Sequence, residues 1–210
     1  MIDSTEQKQL HQALTSLENN DGIIVVPTDT TYGVICRLDR KDAIARIYRE
    51  KGRDSNKPLI ILGHDADSLE NWAAAKHEQL RLLSKKFWPG ALTIVVPAAN
   101  TVPKEILAGL QTVGLRVPDH DQCRALLEQL PDKSAASTSA NLSGSGIPKD
   151  LADVQATLHG KVNFIMDSGS APQATESTIV DISGDKPVIL RRGAINPEDI
   201  FAVLGVKVDR

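Results

Sequence analysis

Four polar stretches of this 210-residue chain carry residue types that do chemistry. Pro27-Thr28-Asp29-Thr30-Thr31-Tyr32-Gly33 places three threonines and an aspartate directly after an apolar run. Such hydroxyls can bind a polar ligand, and Asp29 can orient a cation or an amine. A turn closing on its own backbone explains the same letters. Lys51-Gly52-Arg53, with Lys57 before Pro58, puts three cations into seven residues. That set suits a triphosphate, with arginine as a planar fork and lysine as a point charge. Cations answering the carbonyls of a helix C-terminus are the alternative. In Ser137-Thr138-Ser139-Ala140-Asn141-Leu142-Ser143-Gly144, Ser139 and Asn141 are two apart and share a face of a strand. Hydroxyls, an amide and neighbouring N–H groups can cradle phosphates, or simply form a Ser/Asn/Gly loop. Finally, Glu176-Ser177-Thr178-Ile179-Val180-Asp181 and Leu190-Arg191-Arg192-Gly193 set hydroxyls and two arginines beside apolar runs. A partly buried arginine needs an anion, and Asp181 is the obvious protein partner. Arg116, inside an apolar strand, poses the same question.

The elements that must position these residues alternate along the chain. Ser4 can cap a helix carrying Leu10, Ala13, Leu14 and Leu17. Gly22 to Val26 is a short buried strand. Ala43, Ile44, Ile47 and Tyr48 share a helical face. Strands are expected at Pro58–Leu62, Leu92–Val96 and Val113–Val117, with a helix through Leu80, Leu82, Leu83 and Phe87. Asp119 can cap a helix through Leu126, Leu127 and Leu130. A small-residue strand at Ser134–Ser139 and a helix at Asp150–Leu158 follow. Three more strands lie at Phe164–Met166, Thr178–Ile182 and Val188–Leu190. Asn196-Pro197 then opens a last helix, Asn at the cap and Pro at the first turn. This order predicts an α/β fold, one domain over 1–210, with helices packed on a twisted sheet. Three late strands without a helix between them predict antiparallel pairing there, hence a mixed sheet. In open α/β sheets, ligands sit at strand ends, where the polar stretches fall.

Taken in order, these motifs, with Trp88-Pro-Gly-Ala-Leu-Thr93 and Gly114-Leu-Arg-Val117, resemble the Sua5/YrdC family, the threonylcarbamoyl-AMP synthases. The resemblance runs from about Gly22 to Gly193. It implies a YrdC-like α/β domain around a large, electropositive cleft. It also implies a nucleotidyltransferase that joins L-threonine, bicarbonate or CO₂, and ATP into threonylcarbamoyl-AMP and pyrophosphate. Mg²⁺ would accompany the ATP, with no metal ligand assigned among the side chains. The product would pass to a transferase complex making N6-threonylcarbamoyladenosine at position 37 of tRNA. Lys51 and Arg53 are implied as catalytic. Thr30, Tyr32, Arg116, Ser137 and Ser177 would hold threonine; Arg53, Lys57, Thr112, Ser139, Asn141 and Arg191 would hold ATP. Two positions depart from the pattern: Leu62 stands where many relatives carry His, and Ile147 where Ser is frequent. Longer relatives add a linker and a second domain beyond the point where this chain ends, so a cleft that releases its product readily is expected. The rival readings are an RNA-binding module and a relative that adenylates a different carbamoylated substrate.

Composition narrows the classes. Lys and Arg number 24 against 27 Asp and Glu, a net charge of -3, which argues against binding dominated by nucleic-acid phosphates and leaves at most weak RNA contact. Aromatic residues are 3%, too few for an extended base-stacking surface. Two cysteines make no disulfide framework. The five histidines show no HExxH spacing, and neither Gly-x-Ser-x-Gly nor the standard nucleotide fingerprints occur. Without a membrane-length apolar run or a signal-like N-terminus, a cytoplasmic protein is expected.

Overall fold

A computed structural model describes residues 4–75, 77–142, 144, 146, 148, 150–167 and 175–206. Nine strands form one mixed sheet. In chain order they are β1 Ile24–Val26, β2 Gly33–Cys36, β3 Ile60–Gly63, β4 Leu92–Pro97, β5 Thr112–Arg116, β6 Ser134–Ser139, β7 Phe164–Ile165, β8 Thr178–Asp181 and β9 Val188–Arg191. Their order across the sheet is β7-β1-β2-β6-β3-β5-β4-β8-β9. The helices are α1 Ser4–Leu17, α2 Lys41–Lys51, α3 Asp67–Glu70, α4 Glu78–Phe87, α5 Lys104–Leu107, α6 Asp121–Glu128, α7 Leu151–Leu158 and α8 Pro197–Val203. No helix among the described residues is long and apolar enough to cross a membrane.

The expected elements form, with three corrections. Only β8 and β9 of the late strands pair antiparallel. β7 instead joins β1 in parallel, and β8 joins β4 in parallel. Strand patterning shows which residues share a face but not which strand lies alongside. Asp119 does not cap α6. His120 holds that position, without a side-chain bond; the Asp119 N–H goes to Asp29 Oδ1 at 3.1 Å. Leu130 lies beyond the end of that helix. Ser4 is itself helical within α1 and so is not its cap. The Asp150 cap and the Asn196 cap form as expected, each side chain accepting an N–H of the first turn.

The two faces of the sheet are covered unequally, and this creates the site. On one face, Val34, Ile61, Ile94, Val96, Val113, Leu115, Ala136 and Val180 pack under Ile44 and Ile47 of α2, Leu83 of α4, Val154 of α7 and Ile200 of α8. Each buried Val, Leu or Ile among them contributes about 1.5–3 kcal/mol of hydrophobic stabilisation. On the other face, Ile24, Val26, Ile35, Leu62 and Ala135 pack against Ala13 and Leu17 of α1 and Cys123, Leu126 and Leu127 of α6. That cover reaches only β3. Beyond it, the same face of β5, β4 and β8 opens into a cavity.

Candidate active site

The cavity has a volume of about 530 Å³. Its base is built by strand alternation, in which every second side chain points to one face. Ile60 and Leu62 of β3, Thr112, Gly114 and Arg116 of β5, Ser137 and Ser139 of β6, Thr93 and Val95 of β4, and Ile179 and Asp181 of β8 all line it. Register brings them side by side: Leu62 pairs with Arg116, Ile60 with Gly114 and with Ser137, and Thr93 with Ile179. One wall is the loop Thr28–Tyr32 with Gly33. A second is Arg53 with Lys57 and Pro58. A third is Glu176, Ser177, Leu190 and Arg191.

The Thr28–Tyr32 loop holds its shape through its own hydroxyls. Thr28 Oγ1 donates to Thr31 O (2.5 Å), accepts the N–H groups of Thr30 and Thr31 (3.2 Å each), and meets Thr30 Oγ1 at 3.1 Å. The turn and the binding surface are therefore one structure. Arg116, 5% exposed, donates from Nη2 to Asp29 Oδ1 at 2.5 Å and from Nε to Gly90 O at 3.0 Å. Burial pushes its pKa down, and the Asp29 carboxylate pulls it back up. Nη1 has no recorded acceptor among the described residues, and the side chain reaches the cavity. The Trp88-Pro89-Gly90 turn earns its place here by presenting the Gly90 carbonyl to this guanidinium. Trp88 itself packs, its Nε1 donating to Leu92 O at 2.7 Å.

Arg53 follows Gly52, whose left-handed φ of 56° ends α2. Its Nε and Nη2 donate to Lys57 O (3.1 Å) and Pro58 O (2.8 Å), which pins the loop and aims the guanidinium along the wall. Burial lowers its pKa. Arg191 donates to Ser177 O and Ser177 Oγ (3.0 Å each) and to Glu176 Oε1 (2.5 Å). Burial lowers its pKa and Glu176 opposes that. Asp181, the partner expected for these arginines, instead accepts the Ser183 N–H at 2.8 Å. Glu176 takes the role because β9 carries one extra residue against β8, which sets Arg191 opposite Ile179 on the cavity face, where its side chain reaches Ser177 and Glu176. Ser177 Oγ also meets Thr93 Oγ1 at 2.9 Å.

Ten of the twelve site residues read from the sequence line this cavity: Thr30, Tyr32, Arg53, Lys57, Thr112, Arg116, Ser137, Ser139, Ser177 and Arg191. Lys51 and Asn141 do not. The Lys51 ammonium is inside the protein, bonded to the carbonyls of Ser139 and Asn141. Asn141 Oδ1 accepts Ser139 Oγ at 2.6 Å. Leu62 lines the cavity; His64 points elsewhere, its Nδ1 meeting Arg124 O at 3.0 Å. Ile147 lies outside the described residues. Sequence reading missed Glu176, Thr93 and the Gly90 carbonyl. Period-2 alternation within β4 was the available signal for Thr93; Glu176 and Gly90 stood inside motifs already singled out, but nothing local showed that they would meet the arginines. Both cysteines are buried, which pushes the Cys123 thiol up to about 12 and Cys36 higher still, so neither offers a thiolate. Among the described residues no three His, Cys, Asp or Glu side chains converge as a metal site requires.

Hydroxyls and one deeply held guanidinium at the base, with further cations on the walls, define a class: an α/β protein whose half-open sheet face offers groups that suit a small polar molecule beside an anion. The chain belongs to the Sua5/YciO/YrdC family, described as "Telomere recombination", which it matches over residues 16–193. It is 38% identical to a threonylcarbamoyl-AMP synthase of Bacillus subtilis strain 168 over 99% of this chain and 60% of that protein. It is 37% identical to a threonylcarbamoyl-AMP synthase of Pyrococcus abyssi over 87% of this chain and 54% of that protein. It therefore spans little more than half the length of these curated relatives. The structure of P. abyssi Sua5 complexed with L-threonine superposes with a TM-score of 0.87 at 35% identity, over 95% of this chain and 58% of that one. Escherichia coli YciO, of nearly equal length and named only as uncharacterized, is 30% identical over 91% of this chain and 92% of its own.

Proposed function

We propose that this chain is an L-threonylcarbamoyladenylate synthase, joining L-threonine, bicarbonate or CO₂, and ATP into threonylcarbamoyl-AMP and pyrophosphate. The observation that carries the reading is Arg116, a buried guanidinium opening into a hydroxyl-lined pocket at one end of the cavity, with Arg53, Lys57 and Arg191 on its walls. The first suits an amino acid whose carboxylate meets Arg116 and whose hydroxyl meets Thr30, Ser137 or Ser177. The second suits a triphosphate. P. abyssi Sua5, which shares this fold, is known with L-threonine bound.

The chemistry needs no protein nucleophile. The threonine amine and bicarbonate form an N-carboxylate and water. A carbamate oxygen then attacks the α-phosphorus of ATP, and pyrophosphate leaves. The protein's part is to hold the reactants in line and to answer charge on the transferring and leaving phosphates. Arg53 and Arg191 suit the phosphates, with the exposed Lys57 as a third cation. Thr112 and Ser139, on neighbouring parts of the same face, suit the nucleotide side. Mg²⁺ enters as part of the substrate, bound to the triphosphate, where it supplies charge neutralisation. The product is a mixed anhydride that water hydrolyses, so prompt transfer to a complex acting on tRNA is the fitting fate, and the cytoplasm, where tRNA is met, the fitting location.

The test is pyrophosphate release from Mg-ATP with L-threonine and bicarbonate each present or omitted. Release that requires both is expected. Release with another amino acid assigns the cleft to a different carbamoylated substrate, a live arm given the match to YciO. No release under any combination overturns the enzyme reading.

A further inference from the structure

Lys51 and Arg53 are two residues apart yet meet different surroundings. α2 ends at Lys51, Gly52 turns left-handed, and Arg53 emerges on the cavity wall. The Lys51 side chain stays inside: the residue is 3% exposed and does not line the cavity. Its Nζ donates to Ser139 O and, at 2.6 Å, to Asn141 O. These carbonyls flank Ala140, which is fully buried and whose N–H donates to Tyr32 O at 2.8 Å. The turn leaving β6 is thus held from both sides, by Lys51 on its carbonyls and by Tyr32 on its amide. Ser139, which ends β6, puts its hydroxyl on the cavity. Buried carbonyls need donors, and one amine reaching across from the end of α2 serves two.

We infer that Lys51 is a positioning residue: it clamps the turn Ser139-Ala140-Asn141 and so fixes the Ser139 hydroxyl relative to Arg53, without touching the phosphates. The inference rests on the synthase reading of the cleft. Burial and the neighbouring Arg53 charge push the Lys51 ammonium down to about 7. The clamp does not depend on the outcome, because a neutral amine still has two N–H donors for its two acceptors. Phosphate binding by a lysine, in contrast, needs the charge.

Three readouts test this. In wild-type protein with ¹³C-labelled lysine at about pH 5, where Lys51 is already protonated and an anion on Arg53 cannot change its charge, titration with inorganic pyrophosphate and with Mg-ATP moves the Lys57 Cε signal and leaves that of Lys51 in place. In Lys51→Met, the Ala140 amide exchanges at least about tenfold faster, while Ile94 and Leu115 in the central strands keep their protection. In the same variant pyrophosphate release falls about a hundredfold, adding Ser139→Ala costs little more because the two act as a unit, and Lys51→Arg recovers part of the loss. A Lys51 signal that moves as far as that of Lys57 overturns the inference, as does unchanged Ala140 exchange in a folded Lys51→Met. Should that variant not fold, the wild-type titration decides. Absence of pyrophosphate release from wild type defeats the synthase reading and is seen separately from the exchange readout, which needs no substrate.

Discussion

Removing Asp29 isolates what holds Arg116 in place. The guanidinium is 5% exposed, and its anionic partner is Asp29 at 2.5 Å; its other recorded acceptor is the Gly90 carbonyl. Asp29→Ala leaves a buried positive charge with one neutral acceptor. Breaking such a pair from one side costs about 3–5 kcal/mol. The Asp29 side chain is 15% exposed, so water reaches the vacated position and the low end, about 3 kcal/mol, is expected. The Asp119 N–H also loses its acceptor, but Asp119 is exposed and solvent replaces it at little cost. At about 2–4 °C per kcal/mol for a chain of this length, the melting temperature falls by about 6–12 °C. Asp29→Asn keeps an acceptor oxygen and falls between wild type and Asp29→Ala. The assay is thermal unfolding followed by circular dichroism, repeated with saturating L-threonine. If the substrate carboxylate meets Arg116, it supplies the missing anion, and the variant gains more melting temperature from threonine than wild type does. A loss below about 2 °C in Asp29→Ala refutes the ion-pair argument. Equal stabilisation of both proteins by threonine refutes the placement of its carboxylate.

Four further outcomes are expected. Glu176→Gln frees Arg191 from its carboxylate and removes one negative charge from the cavity wall, so the Mg-ATP dissociation constant measured by calorimetry falls severalfold; an unchanged or raised value refutes the competition between Glu176 and phosphate. Thr178→Val removes a buried hydroxyl that accepts the N–H groups of Gly193 and Ile195 and donates to Ile195 O, so urea unfolding loses about 2–4 kcal/mol, and a loss under about 1 kcal/mol contradicts it. Gly193→Ala places a Cβ 2.3 Å from Glu176 O and 2.5 Å from Ser177 C, contacts only backbone movement can relieve; loss of pyrophosphate release with a folded core is expected, and wild-type release shows the strand end to be deformable. The Lys51 pKa, lowered on folding from 10.5 to about 7, means that the unfolded chain binds more protons between those values, so stability rises with pH across that window. Urea midpoints of wild type and Lys51→Met should differ in slope there, and parallel slopes would show that the ammonium keeps its ordinary pKa.

Much of the site was legible because strand alternation is local. Thr112 and Arg116 in one strand, Ser137 and Ser139 in another, and Ser177 before a third each announced a polar face within an apolar run. Helix ends were legible where side chains cap, at Asp150 and Asn196, and misplaced at Asp119, whose amide is used by a residue ninety positions away. Lys51 and Arg53 looked equivalent in the sequence because charge and spacing do not reveal which of two neighbours turns inward at a helix end.

By itself the sequence determined the α/β alternation, the polar face of each strand and the set of cations and hydroxyls available, all consequences of periods of 2 and 3.6 residues. The tertiary structure decided which strands are neighbours, and with that which polar faces coincide. It placed β7 at one edge of the sheet and the β8–β9 pair at the other, paired Arg116 with Asp29 and Arg191 with Glu176 rather than Asp181, and withdrew Lys51 from the cavity. It also left half of one sheet face without helices. The physical reason is that register and layer cover depend on contacts between segments far apart in the chain, for which a local pattern carries no address.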